Sequence, residues 1–360
     1  MKKIFNIIFI VLIVSFCVAC NDDVVKNPDE FLKEKEALPW LPALSDICNI
    51  KGKEGVVFVA NNGYSICFFD IEKKRIDTLI SKTLSRVREF CFNSNNETIW
   101  MQLNDKNLNL WNSKMPTGVV CPFVKHYDEQ IVWLCGGNHP FFSCGDIVYT
   151  GFIPIKSLTG EFKDYAKFRA KSNLIAAWDV SNTDSVKCVS LFGERPSDQP
   201  KEMFIDDSYT VAFNVEDSII IAGTELSQNV IVMTMTGEKI KEKKLTSKFY
   251  VQPEKRDFSQ ENSATEKIKY WENNMLFRGL YYDKHRKLYY RVLDMGKRSD
   301  DETFMKQKSD WVLIVADSEL NKKYEVFFDG DDYRAVIFIG KEGVYVRTTK
   351  NKTMDLFVFD

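Results

Sequence analysis

A short apolar strand closing on an aromatic and then an acid or its amide recurs along this chain, and no other feature constrains the fold as tightly. It reads Ser65-Ile66-Cys67-Phe68-Phe69-Asp70, then Leu108-Asn109-Leu110-Trp111-Asn112, then Leu174-Ile175-Ala176-Ala177-Trp178-Asp179. The last residues repeat it as Asp355-Leu356-Phe357-Val358-Phe359-Asp360, and looser copies at 230–236 and 311–317 fill the gaps. A unit repeated at intervals of tens of residues cannot bury its apolar face alone and must stack on its neighbours. The chain is therefore read as a repeat fold.

Around each copy lie further β runs divided by turn residues, and no apolar period of 3.6 persists long enough for a helix. The runs fall into six sets. These are 46–50, 55–60, 65–70 and 75–80; 87–92, 98–103, 108–112 and 117–123; and 131–134, 146–155, 173–180 and 185–192. Next come 209–215, 218–224, 230–236 and 238–245; 276–282, 287–293, 311–317 and 323–328; and finally 333–339, 343–347 and 355–359. The sets average about 53 residues, above the ~40 to 45 of a compact WD40 repeat. Polar stretches at 156–172, 252–267 and 296–309 account for the excess and read as rim insertions. The predicted fold is all-β, a six-bladed β-propeller of four-stranded antiparallel blades, because radial repetition leaves only short, protected edges. The last set lacks a fourth strand, and a ring must close. Residues 31–44 are expected to supply that strand beside 355–359. Two β-sandwich domains would instead show a linker near the midpoint, and the sequence has none there.

Lys2 and Lys3 precede an apolar run from Ile4 to Val18, broken only by Asn6 and Ser15, that ends at Ala19-Cys20. A charged n-region, an apolar h-region and a small residue before the cut make a signal peptide. The run is shorter than the ~20 residues of a spanning helix. The expected organisation is a signal at 1–19, a lipid-attached tether and closing strand at 20–44, and the propeller at 45–360. Cys17-Val18-Ala19-Cys20 resembles the bacterial lipobox, which implies acylation of Cys20 and membrane attachment through the lipid. At ~0.8 kcal/mol per buried CH₂, several acyl chains on one residue hold a soluble domain firmly. Asn21-Asp22-Asp23 resembles the acidic surface-export stretch of Bacteroidetes lipoproteins, which implies an outer-membrane address and display at the cell surface.

With 49 basic and 51 acidic residues and a formal charge of -2, the chain generates no field that would gather nucleic acid. Nine cysteines become seven once Cys17 leaves with the signal and Cys20 is acylated, so pairing within one chain is incomplete. Cys48, Cys67, Cys91 and Cys188 sit in apolar strand patterns and read as small buried hydrophobes. Cys135 and Cys144 flank Gly136-Gly137-Asn138-His139-Pro140 and read as a loop, with a disulfide across it as the alternative.

The sequence offers no catalytic, metal or cofactor signature. His126, His139 and His285 lie far apart, and no nucleophile elbow, zincin helix or phosphate-binding loop is present. A calcium loop beginning at Asp329 would need Glu at its twelfth position, where the chain has Gly340. Trp40, Trp100, Trp133 and Trp271 are read as packing residues that could alternatively stack on a ligand at a rim. Arg278, Arg291 and Tyr282, on or beside an aromatic hairpin, are the candidate polar groups for a channel or rim site. Asp77-Thr78-Leu79 and Asp217-Ser218-Ile219 resemble O-glycosylation triplets of Bacteroidetes envelope proteins.

The lipobox, the acids after it, the strand ends Phe69-Asp70, Trp178-Asp179 and Phe359-Asp360, and the hairpin Tyr281-Tyr282-Asp283 to Tyr289-Tyr290-Arg291 together resemble the six-bladed propeller lipoproteins of Bacteroidetes. The resemblance implies a fold and an envelope address, and no activity. The expected function is a monomeric, lipid-anchored binding or interaction protein for a protein or glycan. An envelope hydrolase or lyase acting on glycan or peptide at the channel is the alternative.

Overall fold

A computed structural model of the chain describes residues 24–39, 45–50, 53–80, 86–87, 89–92, 98–102, 107–112, 115–122, 130–134, 141–156, 174–182, 186–199, 209–253, 270, 272–296, 309–351 and 353–360. The signal, Cys20, Trp40, Trp271, His126, His139, Cys135 and nearly all of the three polar insertions lie outside the described residues.

The described chain is almost wholly β. It opens with two N-terminal strands, β1 (Val25–Lys26) and β2 (Leu32–Pro39), separated by a 3-10 turn at Pro28–Glu30. Blade one is β3 (Ser45–Ile50), β4 (Lys53–Ala60), β5 (Ser65–Asp70) and β6 (Arg75–Ile80). Blade two is β7 (Glu89–Phe92), β8 (Thr98–Gln102), β9 (Asn107–Asn112) and β10 (Met115–Pro122). Blade three comprises β11 (Gln130–Leu134), β12 (Phe141–Cys144), β13 (Ile147–Lys156), β14 (Ile175–Asp179) and β15 (Lys187–Phe192). Blade four is β16 (Tyr209–Asn214), β17 (Ile219–Thr224), β18 (Asn229–Thr234) and β19 (Lys239–Lys244). Blade five is β20 (Leu276–Asp283), β21 (Leu288–Asp294), β22 (Trp311–Ala316) and β23 (Lys322–Phe328). The chain ends with β24 (Tyr333–Ile339), β25 (Val344–Thr348) and β26 (Thr353–Phe357).

The expectation of a six-bladed propeller of four-stranded antiparallel blades is overturned: the structure is a five-bladed propeller of mostly antiparallel, four-stranded blades. Five blades are each wound from one continuous stretch, and two of them carry a fifth strand. In blade three β11 and β12 pair with successive lengths of the long β13, Phe152–Lys156 and Ile147–Thr150, and blade five gains β1, which pairs parallel with β23. The remaining sheet is of different construction, a composite in the order β2-β26-β25-β24 drawn from both ends of the chain. In it, Leu38 faces Met354 and Pro39 faces Thr353, so the segment before blade one does lie beside the last strand. The regular repeat failed at β12 because a two-residue turn, Gly145-Asp146 with Gly145 at φ 57, folds Phe141–Cys144 back onto Ile147–Thr150.

Apolar clusters fill the gaps between neighbouring sheets. Val57, Ile66 and Phe68 of blade one meet Val87, Phe90 and Ile99. Cys91 meets Val148 and Trp178, and Tyr149 and Ile175 meet Tyr209 and Ile220. Ile221 and Val230 of blade four pack on Phe277, Tyr289 and Val312 of blade five. Trp311 and Phe328 stack at 4.1 Å and abut Val344, Phe357 and Phe359 of the closing sheet. That sheet in turn packs Leu38, Tyr345 and Leu356 against Val56 and Phe69 of blade one, which joins the end of the ring to its start.

The recurring motif now has a physical meaning. Each copy is the third strand of its sheet, β5, β9, β14, β18, β22 or β26. In β5, β14, β18 and β22 the apolar residues fill the gaps between sheets, while a polar side chain at the end of the strand caps the turn into the outer strand. Asp70 Oδ1 accepts from Lys73 N at 2.9 Å and Asp179 Oδ1 from Ser181 N at 2.9 Å. Thr234 Oγ1 accepts from Glu238 N at 3.0 Å, and Asp317 Oδ1 from Glu319 N and Asn321 N at 2.9 and 2.8 Å. Acids and hydroxyls recur there because a short acceptor at a turn satisfies backbone N–H groups that the ladder has released.

Candidate functional site

The three residues singled out from the sequence lie on one hairpin but do not converge. Arg291, on β21, is wholly buried. Its guanidinium donates to the carbonyls of Gln228, Leu245, Thr224 and Ser227 at 3.1, 2.5, 3.3 and 2.8 Å, and lies 3.6 Å over the Phe277 ring. Burial pushes it down to about 9, with the charge of Asp198 opposing that shift. It fastens the β17–β18 connection of blade four to blade five and faces no solvent.

Arg278 and Tyr282 lie on β20, four residues or about 13 Å apart along the strand. Arg278 Nη1 donates to the buried carboxylate of Glu225 at 2.7 Å, and its Nε lies 3.9 Å from Asp294. Tyr282 packs at a tilt on Tyr289, 4.9 Å between ring centres, and donates to Glu216 at 3.2 Å. Burial first, and Glu216 second, push its phenol well above the ordinary range. His285 sits in the turn beyond, its backbone N–H bound to Asp283 at 3.0 Å. Cys144 and Cys67 are free thiols. Trp100 and Trp133 lie on β8 and β11, and their side chains fall outside the described residues.

A concave feature lies elsewhere, where the N-terminal segment crosses blade five. It is a cleft of about 430 Å³ lined by Val25, Lys26, Asn27, Pro28, Asp29, Phe327, Asp329, Asp332 and Tyr333. One wall is built by local sequence. Asn27 caps the 3-10 turn, accepting from Asp29 N at 3.0 Å, while Glu30 reaches back to Asn27 N at 3.1 Å. This is a capping box with Pro28 preset at the first helical position. Lys26 lays its ammonium over Tyr324 and Phe31, 4.4 and 5.1 Å from their ring centres. The opposite wall is the turn between β23 and β24. Asp329 accepts from Asp331 N at 2.7 Å, Gly330 N is held by Asp310 at 2.9 Å, and Asp332 pairs with Lys350 at 2.7 Å.

Tyr333 forms the floor. Its hydroxyl donates to Asp355 at 3.0 Å and its ring lies edge-on to Phe328 and Phe357. Burial, reinforced by Asp355, holds the phenol protonated far beyond neutral pH. It therefore fixes geometry rather than moving protons. Chemically the cleft offers carboxylate and carbonyl acceptors beside one ammonium engaged on aromatic rings. Among the described residues, no group of three His, Cys, Asp or Glu side chains is placed to hold a metal ion. The capping-box signature Asn27-Pro28-Asp29-Glu30 was visible in the sequence, but a polar stretch after a signal peptide reads first as a tether.

The fold and the site define a β-propeller whose N-terminal segment is built into its wall. Residues 77–325 match the family model "Domain of unknown function (DUF4221)", and the chain belongs to that family. A crystal structure of a DUF4221 member from Bacteroides vulgatus superposes with a TM-score of 0.72 at 18% identity, covering 92% of this chain and 95% of that one. The β-propeller domain of Myceliophteria thermophila Cps50 (Swd1) is a looser match, with a TM-score of 0.43 at 7% identity over 91% of this chain and 100% of that one. A luciferin-regenerating enzyme gives 0.45 at 9% identity over 91% and 93%. No protein of curated function matches.

Proposed function

We propose that this chain is a lipid-anchored binding protein of the cell envelope, attached to the outer membrane through Cys20, that engages a glycan or protein partner at the cleft between the N-terminal segment and the 329–333 turn. The observation that carries the reading is that the segment just after Cys20 forms one wall of that cleft, with Val25 and Lys26 paired to Glu325 and Val326. Attachment and recognition thereby share a structural element. The carboxylates of Asp29, Asp329 and Asp332 suit a ligand rich in donors, such as sugar hydroxyls or peptide N–H groups. Two measurements test it. Mass spectrometry of the mature N-terminus is expected to find acylated Cys20, and an unmodified cysteine would remove the membrane part. Isolation of the native lipoprotein from its own membranes is expected to recover a protein or glycan that an Asp29→Lys variant fails to retain. Equal recovery with both forms would remove the cleft from the account.

A further inference from the structure

The strand of blade five that faces the ring axis carries a bulge at a charged residue. That strand is β20, the edge of the sheet away from β1, and its ladder with β21 pairs Phe277 with Leu293 and then Gly279 with Val292. Arg278 is the extra residue between them, and a β-bulge of this kind re-aims a side chain. Its guanidinium lies between two carboxylates, with Nη1 donating to Glu225 at 2.7 Å and Nε 3.9 Å from Asp294 Oδ2. Glu225 is 2% exposed, whereas Arg278 and Asp294 keep 30% and 24% of their side-chain surface in reach of solvent.

The fold leaves hydrogen-bonding capacity here unused. Among the described residues the guanidinium makes one hydrogen bond, to Glu225, although it carries five N–H groups. Asp294 Oδ1 accepts from Gly296 N at 3.0 Å, while Oδ2 accepts no hydrogen bond from a described residue. Tyr281 adds a third group. Its phenol folds back over Gly279, where a Cβ would stand 2.6 Å from the ring and 2.7 Å from the hydroxyl, so glycine is what admits it next to the bulge. Burial alone pushes this phenol up to about 12, and it is a hydrogen-bond donor at neutral pH. A tie between blades four and five would need only Arg278 and Glu225.

We infer that this axial edge of blade five is a second binding site, separate from the cleft, that takes a neutral sugar residue through Arg278, Asp294 and Tyr281. Guanidinium and phenol donors beside a carboxylate acceptor match vicinal hydroxyls, each of which donates and accepts. Two carboxylates against one guanidinium leave the group net negative, which disfavours uronates and phosphates.

The full chain in detergent is titrated calorimetrically with neutral oligosaccharides cut from mannan, xylan and β-glucan, and with oligogalacturonate as the acidic counterpart. At least one neutral oligosaccharide is expected to bind, and oligogalacturonate is not. Asp294→Asn and Arg278→Lys are each expected to weaken that binding about tenfold. Tyr281→Phe is expected to weaken it several-fold with an unchanged urea midpoint, because the hydroxyl holds nothing in the fold. Asp29→Lys, in the cleft, is expected to bind as the native chain does. Binding of no neutral oligosaccharide, or tighter binding of oligogalacturonate, would overturn the inference. Sugar binding that survives Tyr281→Phe and Asp294→Asn but is lost in Asp29→Lys would overturn it too, while leaving the cleft as the recognition site.

Discussion

Glu242 on β19 gives a sharp test of how blade four is held together. Its carboxylate accepts from Ser197 N at 2.7 Å, Ser197 Oγ at 2.6 Å, Asn229 Nδ2 at 2.9 Å and Lys239 Nζ at 3.0 Å. Burial alone would raise this group, but the four donors outweigh it and hold the carboxyl at about 2. Folded below unfolded is the stabilising sense for a carboxylate. The contribution is complete above the unfolded value of 4.5 and is lost as pH falls through about 2. At ~1.4 kcal/mol per unit, that shift amounts to about 3 kcal/mol. Glu242→Gln keeps the shape but turns an NH₂ toward Lys239, the donor on Oε2, or toward the three donors on Oε1. The expected loss is about 2 to 3 kcal/mol near neutral pH, shrinking to under about 1 near pH 2, where the native carboxyl is itself about half protonated. Urea unfolding of both forms at a series of pH values reads the gap directly. A gap that stays constant with pH, or no gap near neutral pH, would refute the assignment of the four bonds to an ionised Glu242.

Three further expectations follow from the packing. Arg291→Met removes a buried cation and leaves its backbone acceptors without donors, so it is expected to cost about 3 to 5 kcal/mol in denaturant unfolding, and a cost under about 1 would mean the carbonyls are satisfied otherwise. Phe31→Ala deletes the ring held between Tyr324 and Phe359, with an expected loss of about 3 kcal/mol and faster proteolysis of the N-terminal segment; unchanged proteolysis would separate that segment from the fold. Burial pushes Tyr281 and Tyr289 up to about 12 from an ordinary 10, so their contribution is intact below pH 10 and is lost as pH rises toward 12. An alkaline titration followed by tyrosinate absorbance is expected to show those phenols ionising only with unfolding, and early ionisation would contradict their burial.

Much of the fold was legible because its signals are local. Strand positions followed from alternating apolar runs and from turn residues such as Asn and Asp, whose side chains cap the backbone, as Asp70 and Asp317 do here. The need for a closing strand followed from counting three runs in the last set. The five-strand sheets were not legible for a specific reason. Phe141–Cys144 followed a Gly-rich stretch and read as loop, although Gly145-Asp146 is itself a hairpin turn. Val25–Lys26 is too short for any periodicity, and its parallel pairing with β23 depends on contacts about 300 residues distant. The site was the least legible part. Arg291 has the composition of a ligand-binding residue and the environment of a structural one, a difference set by the Phe277 ring and four carbonyls from other strands. The cleft joins residues 25–29 to residues 327–333, and no pattern within either segment announces the other.

Amide hydrogen exchange across residues 344–357, compared between the full chain and one lacking residues 24–39, tests the central claim most directly. If the N-terminal segment closes the ring, β25 and β26 are strongly protected in the full chain and exchange quickly in the shortened one, while β16–β19 change little. Protection of β25 and β26 that survives the deletion would show that the ring is closed without the segment, and the account of how attachment, closure and cleft depend on one another would fall.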